Sequence, residues 1–120
     1  MKVAITGMGI ISSIGNTVEE NFHSLVSLKT GLSTISNIET IHKDIIKVGE
    51  IKLTNEQLAE QLNLPSDNNY SRTALLGAIA AKQAVENAKI SDMNAYKSGL
   101  ISATSVGGMD MTEKYYYEYF

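Results

Sequence analysis

The chain has no cysteine and no tryptophan, one proline, and only two histidines among 120 residues. Without cysteine there is no disulfide framework, no thiolate metal site and no cysteine nucleophile. The histidines, His23 and His42, lack the i, i+4 spacing of a helical metal pair, so no metal site is expected. Cationic charge is also scarce: 10 Lys and Arg stand against 13 Asp and Glu, a net charge of −3. A nucleic-acid binder would carry a basic face, so that class is excluded. Long apolar runs are missing as well. The densest, residues 74–81, contains Gly77 and falls far short of the roughly 20 residues that span a bilayer. Residues 1–5 open like a weak signal peptide, but Thr6, Gly7, Gly9, Ser12 and Ser13 interrupt the run, and no cleavage site follows. A cytoplasmic start is expected, with no membrane partner. What remains is an ordinary globular composition, 43% hydrophobic and 19% charged, of a length for one small domain.

The pattern along the chain is mixed α/β. Residues 3–6 predict a buried strand continuing toward Ser12, with Gly7 and Gly9 marking a bend or a close backbone approach. Thr17 and Glu20 predict a capping box, and Val18, Phe22, Leu25 and Val26 share one helical face. Gly31 is the expected end of that helix. A short strand is expected at 46–51, and a helix from Thr54 to Leu62 or Leu64, ended by Pro65. Ser71 caps the strongest element, residues 72–89. Its alanines and leucines are apolar nearly all round, so it should lie centrally. A second buried strand is expected at 99–104, then a tight turn through Gly107 and Gly108, then a helix from Asp110 or Thr112.

That last helix holds Tyr115, Tyr116, Tyr117, Tyr119 and Phe120, five of the eight aromatics. Covering even half their surface is worth on the order of 10 kcal/mol. The layout therefore predicts the front portion of a larger fold. The alternative is a nonenzymatic binding or assembly module that docks its tyrosine-rich helix on a partner.

No motif in the residues alone makes a catalytic set. Gly7-Met8-Gly9 begins a dinucleotide fingerprint, but Ser12 replaces the third glycine and the helix starts only near Thr17. A glycine-bearing strand packed closely on its neighbours accounts for it better. Val106-Gly107-Gly108 reads as a strand-to-helix turn rather than an anion nest, since only Lys114 lies near in sequence. Arg72 is expected as a structural ion-pair partner rather than an anion binder, and His23 and His42 as surface residues. Ser12, Ser13 and the hydroxyls at 102–105 have no evident base.

The string Val3-Ala4-Ile5-Thr6-Gly7-Met8-Gly9-Ile10-Ile11-Ser12-Ser13-Ile14-Gly15-Asn16-Thr17 resembles the opening of the β-ketoacyl-(acyl carrier protein) synthases. Lys29-Thr30-Gly31, the alanine-rich helix after Ser71-Arg72-Thr73, and Ile101 through Met109 resemble that family's next landmarks, in family order. The segment 104–110 is also similar to synthases of aryl-polyene or flexirubin-type pathways. The resemblance implies a thiolase-like fold, of which residues 1–120 are an incomplete N-terminal half. It implies a decarboxylative condensation by a homodimer, with an acyl carrier protein as partner and no cofactor. In the family a cysteine at a helix N-terminus takes the acyl group and two histidines stabilise the oxyanions. None of these falls on a matched position here. The resemblance assigns only pocket lining: Val106 to a gate of the acyl pocket near the dimer interface, and Met109 to its neighbour. Ser71 stands where the family often has an aspartate before Arg72, which puts a local ion pair there in question. The 120 residues alone are expected to be inactive.

Overall fold

Thr17 opens the first helix as its position predicts. In the computed structural model, which describes residues 2–119, its hydroxyl accepts from the Glu20 amide at 3.1 Å and starts α1, Val18–Val26. The Glu20 carboxylate reaches back past the cap to the Asn16 amide at 2.6 Å, one residue beyond the usual capping-box contact. The order continues with β1 Leu32–Thr34, β2 Lys47–Gly49, α2 Asn55–Gln61, α3 Arg72–Asn87 and α4 Met109–Tyr115. Short 3-10 turns lie at Met93–Ala95 and Tyr116–Glu118. The strands pair antiparallel, Leu32 opposite Gly49 and Thr34 opposite Lys47. This two-stranded ribbon is the sheet among the described residues. β2 falls within the expected 46–51 segment.

The core lies between α2 and α3. Leu58 and Ala59 meet Leu75 and Ile79, with Ile11, Leu53, Leu62, Leu64 and Leu76 packed around them. Leu58 and Leu75 are the largest fully buried side chains, each worth about 2 kcal/mol by burial. α2 is well started: Thr54 and Gln57 cap each other reciprocally, at 3.3 and 2.9 Å.

A second interface brings residues 7–11 onto the small-residue face of α3. The Met8 amide donates to Asn87 Oδ1 and the Ile10 amide to Gln83 Oε1, both at 3.1 Å. The spacings match: two residues of open chain advance at most about 7 Å, and four helical residues about 6 Å. Only glycine fits between. A Cβ on Gly7 would stand 2.7 Å from the Ala88 nitrogen, and one on Gly9 2.8 Å from the Ala84 nitrogen. The close approach expected of these glycines is present.

Four expectations need correction. Residues 3–6 and 99–104 form no strand and are exposed; Ile5 is 85% and Ile101 99% accessible. A strand needs a neighbour for its amides and carbonyls, and no described strand pairs with either. Second, α1 ends before Gly31. Leu28 takes the left-handed conformation (φ 53°), and the Lys29 amide closes on the Ser24 carbonyl at 2.8 Å. α2 and α3 end the same way at Asn63 and Lys89. Gly31 instead lets the chain pass close to Ser13 and Ile14. Third, α1 turns its polar side inward. Asn21 and Ser24 are buried against the 12–15 turn, while Phe22, Leu25 and Val26 are exposed. Fourth, α3 buries only Leu75 and Ile79, and Ala74, Gly77 and Ala78 face outward. The C-terminal helix starts at Met109, one residue before its expected start. Tyr115 is half-buried, whereas Tyr116 and Tyr119 are exposed. Phe120 and the Tyr117 side chain lie outside the described residues.

Candidate functional site

Arg72 gathers the most distant parts of the chain. Its Nη1 donates to Asn55 Oδ1 at 2.9 Å, and its Nη2 to the carbonyls of Ile51 and Leu53 at 2.8 and 3.0 Å. Asn37 Nδ2 donates to the same Ile51 carbonyl at 3.0 Å. The guanidinium therefore clamps the backbone entering α2 onto the start of α3. The expected ion pair at Arg72 is not formed; its described partners are carbonyl oxygens and an amide. The carboxylate near this residue, Asp110, binds its backbone instead. The Arg72 amide donates to Asp110 Oδ2 at 2.7 Å. Ser71, where the family pattern has an acid, caps α3 through the Ala74 amide at 3.2 Å.

Beside this clamp Glu50 organises the chain after β1. Its carboxylate accepts from the amides of Ser36 and Asn37 at 2.9 and 2.8 Å, from the Ser36 hydroxyl, and from Lys52 Nζ at 2.8 Å. The Lys52 ammonium, then the Ser36 hydroxyl, hold the Glu50 carboxyl down from an ordinary 4.5 to about 2. Lys52 also reaches the Thr34 carbonyl at 3.1 Å. No part of this cluster was legible as a site, because nothing in the sequence sets Glu50 and Lys52 apart from the other charges of the chain.

Between the clamp, the β-ribbon and α4 lies an open trough of about 1150 Å³, lined by Arg72, Glu50, Asn55, Asp110 and Glu113 among others. Its ionisable wall is mostly acidic. Among the described residues no group of three or more His, Asp or Glu side chains could hold a metal ion.

The residues expected to line an acyl pocket stand on the neighbouring turn. Val106 is 71% exposed in the bend before α4, and Met109, the first residue of α4, is 53% exposed. Neither lines the trough. Gly108 enters α4 with φ 86°, and its carbonyl accepts from the Met111 and Thr112 amides, both at 3.1 Å. The glycine pair thus makes the expected turn into a helix.

The remaining candidates do not line the trough. His23 meets the Ser27 hydroxyl at 3.0 Å on an exposed helix face, and His42 sits in an exposed turn. The Ser12 hydroxyl donates to Asn21 Oδ1, and Asn21 Nδ2 in turn donates to the Gly15 and Thr17 carbonyls at 2.8 and 2.7 Å. Ser102 through Ser105 are exposed. No helix among the described residues is long and apolar enough to cross a membrane.

The sequence matches the family model described as beta-ketoacyl synthase, N-terminal domain, over residues 1–119. It is 29% identical over 114 residues to a 3-oxoacyl-[acyl-carrier-protein] synthase 2 of Staphylococcus aureus (strain N315), covering 93% of this chain and 27% of that protein. A synthase 2 of Synechocystis is 26% identical over 114 residues, with the same coverage. A 3-oxoacyl-[acyl-carrier-protein] synthase 1 of Buchnera aphidicola is 34% identical over 109 residues, covering 88% of this chain and 26% of that one. The chain therefore spans about a quarter of the length of these relatives. No solved structure matches it significantly.

Proposed function

The chain belongs to the β-ketoacyl synthase family, as an N-terminal portion matched over residues 1–119, and on that premise we propose that it is the front of a 3-oxoacyl-(acyl carrier protein) synthase. The parent enzyme condenses an enzyme-bound acyl group with malonyl carrier protein. A carbon–carbon bond forms as the malonyl carboxylate leaves as carbon dioxide, and the cysteine thiolate is released. Fatty-acid or polyketide-type biosynthesis, including the aryl-polyene type, is the setting. Residues 1–120 make up the first part of a thiolase-like N-terminal domain, acting in the cytoplasm within a homodimer. They carry no cysteine, and the family resemblance matches neither His23 nor His42 to a catalytic histidine, so the nucleophile and its histidines lie outside them. Their own contribution is scaffold and pocket wall, with Val106 and Met109 facing the acyl chain.

The observation that carries this reading is the match to 3-oxoacyl-[acyl-carrier-protein] synthases along 93% of the chain. Supporting it, the apolar residues at 3–6 and 99–104 lie uncovered, as strands without their sheet neighbours would. The test is condensation by the complete gene product, given acyl and malonyl carrier proteins and read by mass of the 3-oxoacyl product. Product and carbon dioxide are expected from the complete protein, and neither from residues 1–120 alone. Turnover by the 120-residue chain, or none by the complete protein, overturns the proposal. The exposure of Tyr119, 87%, favours the second reading, a docking module. That reading would predict a cooperatively unfolding monomer with no turnover in any form.

A further inference from the structure

α4 has no fully buried side chain. None of residues 109–115 is buried, and a cavity opens on each side of the helix. One is the trough beside Arg72 and Glu113; the other, about 480 Å³, lies beside Tyr70 and Lys114. Asp110 lines both. A seven-residue helix does not hold itself, since isolated helices under about 12 residues are marginal in water.

Two long-range hydrogen bonds fix it. The Arg72 amide donates to Asp110 Oδ2 at 2.7 Å across 38 residues, and the Tyr115 hydroxyl to Asn69 Oδ1 at 2.9 Å across 46. The Asp110 bond is the stronger, because a carboxylate meets a free amide at the positive end of α3. α3 has no acid in its own first turn, so α4 supplies one. Just upstream the chain makes a close-packed turn against the start of α3. Gly108 sits at φ 86°, and a Cβ on Gly107 would come within 3.1 Å of Thr73 and Thr104. A close-packed glycine turn beside a tether passes the position of α4 on to Val106.

We propose that Asp110 is a positioning residue: by tethering α4 to the start of α3, with Tyr115 as the second tie, it sets where Val106 and Met109 stand and so the acyl-chain length the pocket accepts. The inference rests on the pocket-wall role proposed for those two residues. Asp110 itself does not touch the acyl chain. It acts through the glycine turn.

The test uses the complete synthase and compares kcat/KM for a short and a long acyl carrier protein primer. Asp110→Ala should flatten the wild-type preference by about tenfold, the scale of one charge-assisted hydrogen bond. Asp110→Asn keeps a side-chain oxygen for the Arg72 amide and should restore the preference to within about threefold. A general loss of fold would instead lower both primers together. Tyr115→Phe, which removes only a hydroxyl, should flatten the ratio by about threefold and serves if Asp110→Ala does not fold. Val106→Ala is the reference for the pocket wall and should shift the same ratio. If Val106→Ala shifts it while Asp110→Ala and Tyr115→Phe leave it unchanged, the tether is refuted and the pocket reading stands. If product forms but Val106→Ala changes nothing, the pocket-wall role fails and the tether's effect on selectivity fails with it. No product from any primer refutes the synthase assignment itself.

Discussion

The α2–α3 pair and the two irregular segments at 2–6 and 97–104 are equally apolar to the eye, yet they behave oppositely. Leu58, Ala59, Leu75 and Ile79 close a core, whereas Val3, Ile5, Leu100 and Ile101 are each more than four-fifths exposed. The difference lies in where the backbone finds its partners. A helix satisfies its own amides within four residues, so α2 and α3 need only one another's side chains. A strand depends on a neighbour that can be far away in sequence. Apolar residues therefore close a core in one place and lie uncovered in the other.

Truncating a side chain on each side of this contrast should give the largest difference. Leu75→Ala should cost about 3 kcal/mol in urea unfolding of the 120-residue chain, and Ile101→Ala less than about 0.5 kcal/mol. Equal costs would mean that residues 99–104 are buried after all. The glycines sharpen the contrast next. Gly9→Ala should cost about 2–3 kcal/mol, because its Cβ would meet the Ala84 nitrogen and Gln83 Cβ, each at 2.8 Å. Gly77→Ala, with open space in the interior of α3, should stabilise by about 1 kcal/mol. Opposite signs at Gly9 and Gly77 would separate a glycine held in a close approach from one in open space.

How much could be read in advance follows the same division. Thr17, Thr54 and Ser71 mark their helices correctly because a cap is a local bargain between a side chain and amides two or three residues on. Helix ends were less legible: Leu28 and Lys89 adopt a left-handed geometry that neither residue favours, and no pattern announces it. The burial of Asn21 and Ser24 in place of the α1 apolar face was hidden because it depends on the 12–15 turn as a partner. Of the candidate site, Val106, Met109 and Arg72 were visible as residues. The Arg72 clamp and the Asp110 tether were not, since each joins segments 17 to 38 residues apart.

Those left-handed ends supply the next-smaller effect. Leu28→Gly and Lys89→Gly should each stabilise by about 1 kcal/mol in the same unfolding measurement, relieving a conformation that glycine tolerates. A loss at either site would show that the side chain contributes more than the backbone strain.

The smallest expected effect is electrostatic. The Glu50 carboxyl is held at about 2 in the folded chain against 4.5 ordinarily. Its contribution is complete above pH 4.5 and disappears as the pH falls through 2. Wild type should therefore lose stability relative to Glu50→Gln over that window. The loss should be small and salt-sensitive, because Lys52 is half exposed. A stability difference unchanged from pH 6 to pH 2 would contradict the Glu50 network.

The central proposal is that residues 3–6 and 99–104, which form no strand here, pair as strands with neighbours elsewhere in a complete synthase. Amide hydrogen exchange on those two segments, measured in the 120-residue chain and in the complete gene product, tests it most directly. Fast exchange in the 120-residue chain and strong protection in the complete protein is the predicted result. Equally fast exchange in both would contradict it.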